Sequence, residues 1–492
     1  MCSPHFSMRA RRHAYWHGLA AVLLLAGCAS LQPDLPEARP ELPTEWPLPP
    51  TTTAVTAAAD ADAAPVVDVG WQDFFKAPEL QKLIGLALDN NRDLRVAVLN
   101  VERAREQYRI QRADRVPSLA VGAFMQRGRT NPQSFGIEAQ DTPVVEFYSV
   151  ELGVTDFELD LFGRVRDLSE AELQRYFATE EARRSAQLAL VAEVATAYLA
   201  LGADLAQQRI ARETLASYQE TLGLTTQRYE LGAASELEVS QFRAALETAR
   251  AAVARLTGFV AQDINALRLL TGTRIDPALL PTDFESLGDD LIPVPADLPS
   301  ELLLRRPDVI AAEYRLRAAN ANIGAARAAF FPSISLTAST GSASSEFSGL
   351  FESGSETWSF VPRIRIPIFE GGRLRAGLGV AEADRDIGLA EYEGAIQTGF
   401  REVADGLALS RTLRDQRLAQ EALLEAAERS YELSVARYRA GRDSYIVLLD
   451  VQRTLFLARE AMVGTRLAEQ ANRATLYKAL GGGWITGQAG TR

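Results

Sequence analysis

Two hydrophobic patterns recur along this chain, and the first has a period of two. In "SISLTASTGS", apolar Ile334, Leu336 and Ala338 alternate with serine and threonine, and "WSFVPRIRIPIF" alternates in the same way. This period predicts strands with one apolar and one polar face. The stretches "SLAVGAFMQ" and "YSVELGVTDFELDLF" form a less regular counterpart earlier in the chain. We therefore predict two hairpins, with strands at about 117–127, 147–161, 332–342 and 358–369.

The second pattern is helical and covers most of the remaining chain. Apolar spacing predicts a short helix around 78–90 and a longer one from near Asn91, which Pro117 ends. Two very long proline-free stretches follow, at 144–276 and 368–492. An unbroken helix from 163 to 231 would be about 100 Å long at 1.5 Å per residue. An ordinary globular core does not need such an element.

The two patterns occur together twice. An offset of 209 residues aligns "RYELGAASELEVSQFRAALETAR" (228–250) with "RYRAGRDSYIVLLDVQRTLFLAR" (437–459), and an offset of 215 aligns Pro117 with Pro332. Each copy reads helix, proline, strands, then long helices, as expected of an internal repeat. The predicted organisation is repeat 1 at 71–277, an inter-repeat linker at 278–299, repeat 2 at 300–485 and a tail at 486–492.

The N-terminus carries the features of an exported lipoprotein. Three arginines precede the apolar run "GLAAVLLLAG", so residues 1–27 are interpreted as a signal peptide. The run ends in "LAGC", which resembles a lipobox and predicts lipidation of Cys28; the alternative is a secretory peptide that has a cysteine there by chance. Ala29 and Ser30 follow, which favours the outer membrane over retention in the inner one. Residues 28–70 are rich in proline, alanine and threonine and are predicted to form an extended or disordered leash.

Charge and rare residues exclude several function classes. The 492-residue chain is 47% hydrophobic, and its net charge moves from −12 to −15 once the three arginines of the signal peptide are removed. That balance does not suit a nucleic-acid-binding protein. All three histidines lie in the signal peptide, and Cys28 is the one cysteine left. We therefore expect no metal site, no cofactor other than the lipid on Cys28, and no enzyme activity.

The strand pattern itself points to a membrane. Strands of about ten residues with an apolar face satisfy the requirement of an outer-membrane barrel, in which no strand edge faces lipid. Four strands cannot close a barrel, so the chain must share one: two copies give eight strands and three give twelve, and only the larger barrel leaves a solute path. A lipid-anchored structural coiled coil of the envelope is the alternative from another class.

Several motifs together resemble the outer-membrane factor family, the TolC-like channels. They are "FELDLFGRVR" (157–166), "NALRLLTG" (265–272), "LLRRPDVIAAEYRLRAANANIGAARAAFFPSISL" (303–336), "PIFEGGRLRA" (367–376) and both "RY…G" segments. The resemblance is to the lipoprotein branch that serves resistance-nodulation-division (RND) efflux pumps. It implies a mixed α/β membrane protein: a homotrimer whose twelve-stranded β-barrel, four strands per protomer, lies in the outer membrane and is continued by a long periplasmic α-helical barrel.

The resemblance also implies a function and partners. The chain would be the exit duct of a tripartite pump and would pass small toxic solutes from the periplasm to the exterior. Its partners would be two further copies of itself, a periplasmic adaptor protein, an inner-membrane pump of the RND type, and outer-membrane lipid. A type I secretion duct shares this fold and remains the alternative.

In the resemblance, the repeated glycine turns are the tips of helical hairpins. Gly232 and Gly441 would therefore contact the adaptor. Glycine suits such a turn because it adopts positive φ without strain. The alternative is that both glycines are only helix caps.

The sequence after each turn would hold the gate. Tyr438 and Asp450 lie at the positions of the family's gating tyrosine and constriction aspartate. Asp443, with Arg442 beside it, occupies the position of the gating arginine, which is a departure from the family pattern. The first copy offers Glu238 as an acidic partner. The alternative is that these residues form a solvated helix face with no role in the pore.

Overall fold

The computed structural model describes residues 30–40, 43, 46–47, 69–129, 144–282, 284, 291 and 300–482. The predicted signal peptide, Cys28, the predicted tail and most of the inter-repeat linker lie outside the described residues. Within those residues the two copies share the order helix, two strands and two long helices, and the first copy has one more helix at its start. The first copy comprises α1 (Pro78–Asn90), α2 (Arg92–Ala113), β1 (Ala120–Arg129), β2 (Val144–Leu159), α3 (Arg164–Glu230) and α4 (Glu236–Thr271). The second comprises α5 (Pro307–Ala328), β3 (Ser333–Ser344), β4 (Glu356–Arg365), α6 (Arg373–Arg439) and α7 (Tyr445–Ala479).

These bounds confirm the predicted helix at 78–90 and differ from the predicted strands by a few residues. The largest difference is at β4, which ends at Arg365 rather than at 369. Pro367 explains the shorter strand because proline has no backbone N–H to donate to a ladder. The long helices α3 and α6 have the same length, 67 residues each.

Contacts divide the chain into two compact units, and each unit contains parts of both copies. The first combines residues up to 38 with 100–179 and 311–392, and it holds all four described strands. The second combines 39–99, 180–310 and the chain from 393 onward, and it holds both glycine turns. The predicted repeats are therefore not the compact units of the fold.

The strands of the first unit form one antiparallel sheet in the order β1-β2-β3-β4. Its register places apolar residues opposite one another from strand to strand: Val121 pairs with Leu152, and Ala338 pairs with Phe360. On the other face, Ser339 pairs with Ser359 through hydroxyls 2.9 Å apart. The predicted apolar and polar faces are confirmed.

The apolar face of this sheet is uncovered, and its outer strands pair on one side only. Trp358 is 80% exposed and Phe360 is 61% exposed. Strands β1 and β4 are the ends of the pairing order, so each has an unpaired edge within the described sheet. In water such edges and such a face would promote aggregation. The sheet therefore requires both an apolar solvent and further strands.

The second unit has an aromatic core that includes residues just before α1. Phe74 stacks on Tyr477 with ring centroids 4.4 Å apart, and Phe75 meets the same tyrosine edge-on at 5.7 Å. All three rings are fully or almost fully buried. Offset and edge-to-face pairs of this kind stabilise beyond the area they bury. They fix the chain just before α1 against the end of α7.

The predicted extended or disordered leash over 28–70 is extended in the part that the structure describes, and it is also docked on the helices. Residues 30–40 have no regular secondary structure, as predicted, but Gln32 and Pro33 are held by hydrogen bonds from and to helices of the first unit. Farther along, Trp46 stacks on Phe400 at 4.7 Å in the second unit. Proline-rich composition predicts an extended backbone correctly, but it carries no information about whether helices offer that backbone a docking surface.

Candidate functional site: the two glycine turns

The two predicted tips have the same backbone geometry. Gly232 and Gly441 adopt φ of 72° and 70°. In each turn a backbone N–H just past the glycine donates to an arginine carbonyl: Ala233 to Arg228 at 2.7 Å, and Arg442 to Arg437 at 2.9 Å. A Cβ at either glycine would meet nothing within 4 Å. Positive φ, rather than lack of space, is therefore what requires glycine there.

The residues that follow the first turn form a helix cap. The Glu238 N–H donates to Ser235 Oγ at 3.2 Å, and the Ser235 N–H donates to Glu238 Oε2 at 3.1 Å. This capping box satisfies N–H groups that the first turn of α4 leaves without partners. The Glu238 carboxylate is thus engaged within its own turn.

The second turn uses an ion pair instead. Asp443 lies 2.8 to 2.9 Å from the Arg437 guanidinium, across the turn. This arginine lowers the pKa of the Asp443 carboxyl below its ordinary value. Ser444 is the N-cap of α7 and makes no side-chain cap bond. Asp443 therefore braces the turn through its ion pair with Arg437.

Tyr438 is buried within its own chain. It is 8% exposed and packs with Phe242, Tyr445 and Leu448. The Arg228 guanidinium lies 5.5 Å from the centroid of its ring, a distance at which the cation and the ring attract. Because Arg228 precedes the first turn and Tyr438 precedes the second, the two turns lie side by side.

The ion pair of Asp450 lies within its own helix. Asp450 lies on α7, its side chain is 61% exposed, and it pairs with Arg453 of the same helix at 2.8 Å. Arg442 is exposed at the second turn. The structure thus brings Tyr438 to the first turn, gives Glu238 and Asp443 bracing contacts, and leaves Asp450 exposed on the surface of the single protomer.

A pair of carboxylates in the second unit was not anticipated. Burial and the neighbouring Asp204 carboxylate raise the pKa of Asp263 to about 6. Asp204 lies on α3 and Asp263 on α4. Two carboxylates in contact disfavour full ionisation of both. The sequence gives no direct signal, since two residues on different helices reveal their proximity only once the helices pack.

This pair predicts a pH dependence of stability. The folded protein holds a proton on Asp263 up to about pH 6, whereas an aspartate in the unfolded chain releases it near its ordinary value of 3.8. The stabilising contribution is therefore present below that ordinary value and is lost as pH rises through about 6. We expect Asp263→Asn to raise the thermal midpoint at pH 7.5 and to flatten its fall between pH 4.5 and 7.5.

Exposed Asp384 on α6 supplies the control, because Asp384→Asn removes a carboxylate from the surface rather than from a buried pair. This variant should leave the pH profile of the midpoint unchanged. Equal profiles for Asp263→Asn and the unmodified protein, measured by differential scanning calorimetry, would contradict the assignment.

Among the described residues, no group of three or more histidine, cysteine, aspartate or glutamate side chains is placed to hold a metal ion. One stretch of α3 is apolar enough to cross a membrane, but 61% of it is buried inside the protein. The exposed apolar face described above, by contrast, belongs to the strands of the sheet.

Comparison with known proteins agrees with this architecture. The family model "Outer membrane efflux protein" matches residues 83–273 and 298–482. The chain is 48% identical over 473 residues to the probable efflux pump outer membrane protein TtgC of Pseudomonas putida, covering 96% of each chain. It is 43% identical over 480 residues to outer membrane protein OprJ of Pseudomonas aeruginosa, covering 97% of this chain and 98% of that one.

A solved structure shows the same fold. The open state of the MtrE outer membrane channel of Neisseria gonorrhoeae superposes with a TM-score of 0.81 at 36% identity, covering 92% of this chain and 98% of that one. The predicted fold class and the predicted family are both confirmed. From the sequence match over both copies and the shared fold, the chain belongs to the outer membrane efflux protein family.

Proposed function

We propose that this protein is the outer-membrane exit duct of a tripartite efflux pump. The observation that carries the proposal is the sheet, which has four strands, an uncovered apolar face and two unpaired edges. Three copies joined edge to edge would give a closed twelve-stranded barrel, which removes every edge and places the apolar face in lipid. The helices of the same three copies would continue the duct into the periplasm.

The adaptor and the inner-membrane pump would engage at the glycine turns. Relatives carry the names efflux pump outer membrane protein and solvent efflux pump outer membrane protein, which supports an efflux pump as the partner. That this pump is of the RND type is proposed from the family resemblance of the motifs. Gly232 and Gly441 hold two backbone turns side by side, the geometry of a paired tip. Such a surface fits an adaptor that contacts the backbone of the two turns at equivalent positions.

The lipid anchor and the gate complete the proposal. Cys28 would carry the lipid in the outer membrane. The internal duplication is supported by a separate observation, namely that two stretches of the chain, 83–273 and 298–482, match the family model. The gate would rest on Tyr438, whose burial resists movement of the second turn, and on Asp450, whose carboxylates would face the pore in triplicate. Arg442, Asp443 and Glu238 would shape the turns around them.

Single-channel recording tests the proposal on purified protein in planar bilayers. We expect discrete cation-selective channels, because three carboxylates around a narrow pore attract cations and repel anions. Asp450→Ala should abolish most of the reversal potential in a potassium chloride gradient. Arg453→Ala should increase it, because Asp450 then loses the cation that partly neutralises it.

The two variants are expected to change the reversal potential in opposite directions. Unchanged reversal potentials in both would place Asp450 outside the pore. Absence of any conductance from folded protein would contradict the duct itself and favour a structural envelope lipoprotein.

A further inference from the structure

The first described residues of the chain are held by side chains of the first unit. Gln32 Nε2 donates to Asp167 Oδ1 at 2.9 Å, and the Ser30 hydroxyl lies 3.3 Å from the same oxygen. The Gln32 N–H donates in turn to Ser30 Oγ at 3.2 Å. Both side chains of this short segment therefore point to one carboxylate.

The Asp167 carboxylate is buried and is not a charge on the protein surface. It lies in the first turn of α3, and its side chain is 1% exposed. Burial raises the pKa of the Asp167 carboxyl, and the hydrogen bonds from Gln32 and Ser30, together with Arg166, oppose this shift. A carboxylate removed from water needs such donors, and the N-terminal segment supplies two of them.

A glycine on the facing helix makes room for this contact. A Cβ on Gly324 of α5 would lie 2.2 Å from Asp167 Oδ2 and 2.7 Å from Gln32 Cγ. Both separations are too short for any real side chain. Glycine inside a helix is less favourable than alanine, and here it permits the close approach.

Two more side chains of α5 bind the backbone of the segment. Asn320 Nδ2 donates to the Pro33 carbonyl at 2.8 Å, and Arg327 Nη1 donates to the Leu31 carbonyl at 3.2 Å. The segment is thus recognised on its side chains by α3 and on its carbonyls by α5. Such two-sided recognition distinguishes a docking site from an incidental contact.

These residues lie where the helices meet the sheet. Asp167 follows the end of β2 at Leu159 by eight residues, and Arg327 precedes the start of β3 at Ser333 by six. In the proposed membrane arrangement, this is the base of the barrel. The site therefore lies at the level where an acyl chain can enter the bilayer from the periplasm.

We propose that Asp167, Asn320, Gly324 and Arg327 form a docking site for residues 30–33, which holds the lipid-bearing N-terminus at the base of the barrel. The proposal rests on the proposed lipidation of Cys28. Cys28 is two residues before Ser30, and two residues of chain span at most about 7 Å, so a lipid on Cys28 would begin close to the docked serine. The lipid is then part of the barrel's membrane contact instead of a mobile tether.

A spin label tests the docking. Once the signal peptide is removed and Cys28 is acylated, the chain has no other cysteine, so Asp34→Cys provides one unique thiol on an exposed position beside the docked segment. In purified lipidated protein in lipid nanodiscs, a nitroxide at position 34 should give an immobile spectrum. A mobile spectrum would overturn the proposal.

Variants at the contact decide whether Asp167 causes the immobilisation. Gln32→Glu places a second carboxylate against Asp167, so the immobile component should be lost. Because the change lies outside the helices, it leaves their packing intact. Adding Asp167→Asn to Gln32→Glu exchanges donor and acceptor and should restore the immobile component. The proposal would be overturned if Gln32→Glu kept the immobile component, or if the double variant did not recover it.

A second disruption acts from the receptor side. Gly324→Ala should also release the label, whereas Gly379→Ala on α6, where a Cβ meets nothing within 4 Å, should not. An immobile label in Gly324→Ala would contradict the close approach.

Intact mass separates this proposal from the proposed function. Lipidated protein carries the acyl mass and one nitroxide, at position 34. Unlipidated protein carries no acyl mass and accepts a second nitroxide at Cys28, and a third at Cys2 if the signal peptide is still present. An immobile label on unlipidated protein would overturn the lipid anchor. A mobile label on lipidated protein would overturn the docking site alone.

Discussion

Replacing Arg306 with alanine is expected to lower the free energy of unfolding by about 3 kcal/mol, the lower end of the range for breaking a buried ion pair. Its side chain is 7% exposed and lies 2.7 Å from Asp308 Oδ2 and 2.8 Å from Glu402 Oε2. It also donates to the Ala479 carbonyl at 2.6 Å. The variant leaves two carboxylates and a helix-terminal carbonyl without their shared donor. The lower end applies because both carboxylates are partly exposed.

Arg306 joins three elements of the second unit, which explains the size of the effect. It precedes α5, Glu402 lies on α6, and Ala479 ends α7. Arg306→Lys should recover part of the loss, because an ammonium group keeps the charge but cannot serve three acceptors in fixed directions. The midpoint of urea denaturation, followed by circular dichroism, measures both variants.

Arg317 supplies the control for this prediction. It pairs with Glu313 on the surface of α5, with a side chain that is 45% exposed. Arg317→Ala should therefore cost about 0–1 kcal/mol. Equal losses for Arg306→Ala and Arg317→Ala would show that the buried network contributes no more than a surface pair.

Phe360→Arg is expected to prevent most of the protein from assembling in membranes. Phe360 lies midway along β4 on the apolar face, opposite Ala338. An arginine on the lipid face near the bilayer centre costs about 2–4 kcal/mol per strand position. Three copies would carry that cost three times in one barrel.

Val361 gives a matched control on the same strand. Its side chain points to the opposite, polar face, where it pairs with Thr337. Val361→Arg should assemble normally, because that face would line water. The fraction of protein that migrates as a heat-sensitive oligomer after refolding into lipid vesicles measures both. Equal yields would mean that the apolar face does not meet lipid.

Local patterns predicted the parts of this structure that depend on neighbours in sequence. The period of two identified the strands and assigned Phe360 and Ser359 to opposite faces. The repeated turn identified Gly232 and Gly441, because positive φ is a property of the backbone at that residue. Each of these features is determined within a few positions of the chain.

The missed features depend on partners that are far apart in sequence. Asp167 meets Gln32 only when α3 and the N-terminal segment pack in the same unit, and composition alone predicted an extended or disordered leash there without its docking contacts. Arg306 was visible in the motif "RRPD", but its role requires Glu402 from another helix. Proximity of this kind arises from tertiary packing, on which the spacing of apolar residues carries no information.

The middle of the sheet joins the two copies of the repeat. Strand β2 of the first copy pairs with β3 of the second, and Leu152 lies opposite Thr340. The ribosome must therefore complete the long helices α3 and α4 before the partner of β2 exists. Pairing across so long a loop is slow, and an isolated hairpin is at best marginally stable in water. During synthesis and export, the hairpin of β1 and β2 is thus exposed without its partner, and the order of translation makes the sheet a late product of folding.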